Sequence, residues 1–175
     1  MGTSIVIYHS KYGSTKKYAE WLGEALNCKV FSDVECKKKD LSSYDNIIFG
    51  GTIHAGGIMG IDFLTKNHRK IENKNVLAFA VGLNDLDEAG MKDLRDRNFV
   101  HRIKNIPCFF CRGAYDPKKV KGPDKIIMKI IFHVISKKPS LQVTQNDKEL
   151  IKAVVDGCDW TDKKYLDPIL KAIQI

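Results

Sequence analysis

The sequence predicts an α/β protein built on a doubly wound, five-stranded parallel sheet of order 2-1-3-4-5, and three observations lead there. Short β-branched or aromatic runs recur at Ser4–His9, Lys29–Ser32, Asn46–Gly50, Val76–Gly82 and Cys108–Cys111, each separated by a stretch long enough for a crossover. Ile5-Val6-Ile7-Tyr8 and Ile47-Ile48-Phe49 are apolar without alternation, as central strands covered on both faces must be. Between the first two runs, Tyr18, Trp21, Leu22, Ala25 and Leu26 fall at i, i+3, i+4, i+7 and i+8, one apolar stripe of a helix with Trp21 in its core.

The remaining elements follow in order. Val34 to Ser43 is polar and lysine-rich and reads as a solvated surface connection. Asp33 ends the second strand where a dinucleotide fold keeps its ribose-binding acid, but without that fold's glycines it reads as a loop residue. Past the fifth strand, Tyr115 to Gly122 is basic and turn-rich. A helix then opens at Pro123, a residue suited to a first helical turn. Its residues Ile126, Ile127, Ile130, Ile131, Val134 and Ile135 form a wide apolar face, flanked by Lys118, Lys119, Lys121, Lys125, Lys129, Lys137 and Lys138. Such a face either packs on its own domain or docks on a membrane surface or partner. A further helix is expected over Asp147 to Val155, and a last one over Thr161 to about Ile173, kinked at Pro168.

At 175 residues the chain has the length of one domain, residues 1–175, and one site is sought in it. With 43% hydrophobic residues and no apolar run near the roughly 18 that a span requires, it is expected to be soluble and cytoplasmic. Five cysteines at irregular spacings fit a reduced interior better than a disulfide framework. Cys108-Phe109-Phe110-Cys111 lies inside a strand-like run, so its thiols are read as buried rather than as redox or metal groups. No metal site is expected, because His101 and His133 have no partners at ligand spacing. The net charge of +8 points to anionic ligands, acidic partners or an anionic membrane surface. Nucleic acid is not expected, since the lysines are scattered and no recognition motif accompanies them.

The loop Ser10-Lys11-Tyr12-Gly13-Ser14-Thr15 leaves a strand and enters a helix, which offers unpaired N–H groups and the positive end of a helix dipole to an anion. Ser10, Ser14 and Thr15 add hydroxyls, Gly13 permits the tight turn, and Ser14 or Thr15 can cap the helix. Neither Gly-x-x-x-x-Gly-Lys-[Ser/Thr] nor Gly-x-Gly-x-x-Gly is present, and mere capping is the competing account of the loop. Two further glycine-bearing segments, Gly51-Thr52-Ile53-His54-Ala55-Gly56-Gly57-Ile58-Met59-Gly60 and Gly82-Leu83-Asn84-Asp85, leave strands at the same edge. The three meet where doubly wound sheets bind ligands, and would suit a phosphate at one end and a flat ring at the other. Glycines there would let the backbone approach the ring.

Ser10 to Thr15 resembles the flavodoxin phosphate loop, and Gly50-Gly51-Thr52-Ile53-His54-Ala55-Gly56 resembles its second flavin loop. With Tyr8, the Ile53-His54 pair, Gly113-Ala114-Tyr115-Asp116 and Asp124 through Ile131, nearly the whole chain resembles the flavodoxin-type, menaquinone-dependent protoporphyrinogen oxidases and their relatives. That resemblance implies a flavodoxin-like fold, noncovalent FMN, and a helical insertion near strand five at approximately 115–145. It further implies that Ser10, Lys11, Tyr12, Gly13, Ser14 and Thr15 bind the phosphate, that Thr52, Ile53, His54, Ala55 and Gly56 line one side of the ring, and that Gly82, Leu83 and Asn84 line the other. Lys11 is an auxiliary charge, and a protonated His54 would favour the reduced, anionic ring. Neither ring-lining loop carries an aromatic residue, so no stacked sandwich is expected unless Tyr115 reaches in.

The chain departs from that branch where Ser136-Lys137-Lys138-Pro139-Ser140 replaces its Gly-Gly-x-Thr-Asp-Thr stretch, and only Asp159-Trp160-Thr161 loosely matches its later Thr-Asp-Trp. Two readings stay open. The chain is an electron-transfer protein serving redox partner proteins, or an FMN-dependent oxidoreductase that oxidises a bulky organic substrate and passes electrons to a quinone. In either, the Ile126–Ile135 helix is a candidate for peripheral contact with the inner face of a membrane, packing on its own domain being the alternative. A binding module that reuses the fold without FMN is a third, since fold alone does not fix function.

Overall fold

A computed structural model describes residues 2–173. The chain runs β1 (Ser4–His9), α1 (Ser14–Leu26), β2 (Lys29–Ser32), α2 (Asp33–Cys36), β3 (Asn46–His54), β4 (Gly57–Ile58), α3 (Asp62–Lys66), α4 (His68–Ile71), β5 (Asn75–Gly82) and α5 (Glu88–Asn98). It continues with β6 (Cys108–Arg112), β7 (Ala114–Tyr115), α6 (Pro123–Ser136), α7 (Gln145–Asp156), β8 (Cys158–Asp159) and α8 (Asp167–Ile173).

The main sheet has the order β2-β1-β3-β5-β6, parallel throughout, with the two-residue β4 antiparallel to the end of β3. Apart from the number taken by β4, this is the expected 2-1-3-4-5 topology. Side chains of successive strand residues leave opposite faces, so the continuous apolar runs supply two cores. Ile5, Ile7, Ile47, Phe49, Ala78 and Ala80 pack on one face with Phe63, Leu64 and Leu94. Val6, Ile48, Phe79 and Val81 pack on the other with Tyr18 and Leu22 of α1 and Ile169 of α8.

Several local expectations are corrected. The buried stripe of α1 is Thr15, Tyr18, Ala19, Leu22 and Gly23, while Ala25 is exposed and Trp21 and Leu26 are only partly covered. Gly23 takes the contact because a Cβ there would stand 2.3 Å from Cγ2 of Val30, so the missing side chain is what lets α1 approach β2. The Val34 to Ser43 segment is not all solvated loop. Ser32 and Glu35 form a reciprocal capping box that starts α2, and Cys36 and Leu41 are buried. Asp33 opens this helix and sits 3.0 Å from Nδ1 of His9.

Strand β3 does not end at Gly50. Gly50, Gly51 and Thr52 remain in register with Phe79, Ala80 and Val81, and Ile53 and His54 pair with Ile58 and Gly57. The turn between them is made by Ala55 and Gly56, with φ of 49° and 79°, a left-handed pair suited to a two-residue hairpin. The two strand glycines serve the core rather than a ligand. A Cβ on Gly50 would lie 2.1 Å from the Phe79 ring, and one on Gly51 would lie 2.4 Å from Ile58 and 2.6 Å from the carbonyl oxygen of Met59.

Cys108 and Cys111 lie in β6 on opposite faces of the sheet, each in a different core. Burial pushes both thiols up, Cys108 to about 12. The cysteines are free.

β7 and β8 pair antiparallel and bracket residues 116–157. Within that excursion α6 packs chiefly on α7, which starts at Gln145 behind a Thr144–Asp147 capping box. Lys138 reaches Asp147 at 2.9 Å, and Arg112 donates to Glu149 at 3.0 Å. The wide apolar face of α6 is divided. Ile127, Met128, Ile131 and Ile135 turn inward with Asp124, while Ile126, Ile130 and Val134 stay more than half exposed. The expected kinked last helix is instead a 3-10 turn at Lys163–Leu166 followed by α8, with Pro168 in its first turn, where a missing N–H costs nothing. Among the described residues no helix is long and apolar enough to cross a membrane.

Candidate functional site

The turn after β1 enters α1 through Gly13, whose φ of 102° is left-handed and whose added Cβ would meet nothing within 4 Å. No side chain caps α1, and its first turn holds no acidic residue. The leading N–H groups therefore face outward with the positive end of a 13-residue helix, the arrangement that draws anions. Ser14 and Thr15 do not cap the helix as the sequence led one to expect. The Ser14 hydroxyl accepts from the Ala114 N–H at 3.0 Å, and the fully buried Thr15 hydroxyl meets that of Thr52 at 2.8 Å. Both hydroxyls fasten the loop to neighbouring strands. Ser10 accepts from the Gly13 N–H at 3.1 Å and tightens the turn.

Beside this turn, over the carboxyl ends of β3, β5 and β6, lies a mainly apolar cavity of about 440 Å³. Of the predicted phosphate-loop residues, Lys11, Tyr12 and Ser14 reach its wall; Ser10, Gly13 and Thr15 do not. Thr52, Ile53, His54, Ala55 and Gly56 line one side of it, and Gly82, Leu83 and Asn84 another. Thr52 to His54 do so from the end of a strand rather than from a loop.

The rest of the wall comes from outside the three predicted segments. Leu86, Leu94 and Arg97 come from α5 and its approach, Tyr115 from β7, Ile127, Met128 and Ile131 from the inner row of α6, and Leu150 from α7. Tyr115, 8% exposed, is the aromatic residue that the two ring-lining segments lack, and it lines the cavity. The inner row carries a readable spacing of i, i+1 and i+4, but the outer face of α6 is equally apolar, so periodicity alone could not orient the helix.

Asp124, in the first turn of α6, is 6% exposed. Its Oδ2 lies 2.6 Å from Nζ of Lys11 and accepts from the Tyr12 hydroxyl at 2.5 Å, while its Oδ1 is 2.9 Å from Nε2 of His54. Hydrogen bonds from Lys11 and Tyr12 hold this carboxyl far below the usual carboxylate range. The same bond, with partial burial, pushes the Tyr12 phenol up to about 12. Three side chains predicted to face a ligand thus converge on an acid from the other half of the chain.

The donors present suit a phosphate. They comprise the uncapped N–H groups of α1, the hydroxyl of Ser10 and the ammonium of Lys11, next to a cavity whose volume is ordinary for a small-molecule site. A doubly wound parallel sheet with an open helix N-terminus after its first strand, and a cavity over its carboxyl ends, defines the flavodoxin-like class. Residues 5–142 match the flavodoxin domain, and the chain belongs to the flavodoxin-domain family.

No curated protein matches the chain. Among solved structures it is similar to a flavoprotein in complex with FMN from Lactobacillus acidophilus NCFM, at 12% identity over 64% of this chain and 93% of that one, with a TM-score of 0.48. A flavoprotein from Bacteroides eggerthii matches at 17% identity over 79% of this chain and all of that one, also with a TM-score of 0.48. A flavodoxin variant from Fusobacterium nucleatum bound to flavin mononucleotide matches at 17% identity over 68% and 72%, with a TM-score of 0.39.

Proposed function

We propose that the chain is a flavoprotein that binds FMN without a covalent bond and transfers electrons. The observation that carries this reading is the uncapped, acid-free N-terminus of α1 opening beside the cavity, in a chain of the flavodoxin-domain family. When bound, FMN supplies reversible electron transfer, and the protein sets its orientation, solvent access and potential.

The turn from Ser10 to Thr15 would hold the phosphate through backbone N–H groups and the Ser10 hydroxyl, with Lys11 as an added charge. Thr52 to Gly56, Gly82 to Asn84 and Tyr115 line the cavity that would take the ring. His54 brings an imidazole to the end of β3, its Nε2 within hydrogen-bond reach of Asp124. The inner row of α6 adds an apolar wall to the cavity at this edge of the sheet. The test is the visible absorbance of the purified protein and its titration with FMN. A colourless protein that takes up no FMN ends this reading.

The apolar compartment under Ile127, Met128, Ile131 and Leu150 favours a second reading, in which the protein oxidises a bulky organic substrate and passes electrons to a quinone. Quinone-dependent oxidation of protoporphyrinogen by the FMN-loaded protein would decide for it. In the first reading the partners are redox proteins. In both, the exposed row Ile126, Ile130 and Val134, with Lys125, Lys129 and Lys137 about it, supports docking on the inner face of an anionic membrane.

A further inference from the structure

We propose that Asp124 is an internal anion that latches α6 over the cavity, and that an incoming phosphate-bearing ligand competes with it for Lys11 and Tyr12. The displacement half of this inference rests on the FMN reading; the latch itself does not.

The inward row of α6 is apolar except for Asp124. This acid makes contacts to two separate elements of the site, Lys11 and Tyr12 in the turn after β1 and His54 at the end of β3. Elsewhere α6 is lightly held. It packs chiefly on α7, its outer face is in solvent, and its N-terminus has no side-chain cap. The residue before it, Gly122, has a φ of 59° and nothing within 4 Å of an added Cβ, so no neighbouring group packs against the chain at that point. Asp124 is thus the polar fastening of a helix that lines the cavity, placed in its first turn.

A carboxylate with its own hydrogen bonds satisfied is stable in so buried a place. A phosphate arriving at the Ser10–Thr15 turn brings a second negative charge toward the same ammonium. The two anions repel, and Lys11 cannot neutralise both. Ligand and latch are therefore coupled with negative sign. Binding weakens the hold of Asp124 on the turn and frees α6 to move off the apolar compartment, and by reciprocity loss of the carboxylate tightens binding.

The test pairs Asp124→Asn with the parent protein in two measurements. In the ligand-free state, amide hydrogen exchange across Pro123–Ser136 is expected to rise at least several-fold in the variant. In FMN titrations, the variant is expected to bind about five-fold or more tightly. Tyr12→Phe, which removes one of the three donors, should raise exchange across α6 by less, and it stands in for that readout if Asp124→Asn does not fold. Unchanged exchange across α6 overturns the latch. Faster exchange with unchanged or weaker FMN binding overturns the displacement. A parent protein that binds no FMN defeats the proposed function and the displacement together, while the ligand-free exchange still decides the latch.

Discussion

The hydroxyls of Thr15 and Thr52 meet at 2.8 Å, joining the first turn of α1 to the last residues of β3 beneath the candidate site. Thr15 is fully buried, so the bond is shielded from water. Thr15→Val keeps the shape and removes the partner, and is expected to cost about 1–2 kcal/mol in urea unfolding. Thr52→Val should cost a similar amount, and the double variant should cost less than the sum, because the bond is lost only once. Additive losses would show that the two hydroxyls act separately.

Gly50 illustrates a different constraint. The Phe79 ring occupies the place of its absent side chain, with ring carbon Cζ 2.1 Å from where a Cβ would sit. Phe79 is wholly buried, so the ring has no free direction in which to yield. Gly50→Ala is expected to lower stability by about 1–3 kcal/mol. Adding Phe79→Leu, which shortens the opposing side chain, should recover part of the loss. A Gly50→Ala variant as stable as the parent would refute the contact.

These two residues also mark where the sequence could and could not be read. The central strands announced themselves because Ile5 to Ile7 and Ile47 to Phe49 are apolar on both faces, and Lys29–Ser32 has the bounds its β-branched and aromatic residues predict. Gly50 and Gly51 misled because glycine ordinarily signals a turn, whereas here it signals a neighbour too close for a side chain. The same blindness assigned the α1 stripe to Ala25 instead of Gly23, since a periodicity count weighs what a residue has rather than what it lacks. For the candidate site, the turn after β1 was legible as local chemistry. Asp124 was not, because it acts on Tyr12 from 112 residues away, and an acid in a first helical turn reads as a partner for the helix dipole.

The ion and hydrogen bonds of Asp124 give stability a pH dependence with a defined sign. Its native pKa is depressed, so its contribution is present above the ordinary value of about 3.9 and is lost as pH falls through the native value. Tyr12 works in the opposite sense. Its native pKa is raised from 10.0 to about 12, so the contribution holds below pH 10 and is lost as pH rises through about 12. The stability difference between the parent and Asp124→Asn should therefore narrow below about pH 4. Urea unfolding at a series of pH values measures it. A gap that widens in acid would contradict the assigned contacts.

The outer face of α6 sets stability against binding. Ile126 and Ile130 are 60% and 56% exposed, so their side chains contribute little to the folded core. Ile126→Ser with Ile130→Ser should leave the urea midpoint essentially unchanged. On vesicles containing anionic phospholipid the same pair of changes removes apolar surface worth about 0.8 kcal/mol per buried methylene, enough for a tenfold or greater loss of binding. Lys125 and Lys129 beside them tie that binding to lipid charge, so it should weaken with added salt and vanish on purely zwitterionic vesicles. Equal partitioning of parent and variant would remove the membrane from the account. A variant that unfolds more readily would mean that this face packs on the protein itself.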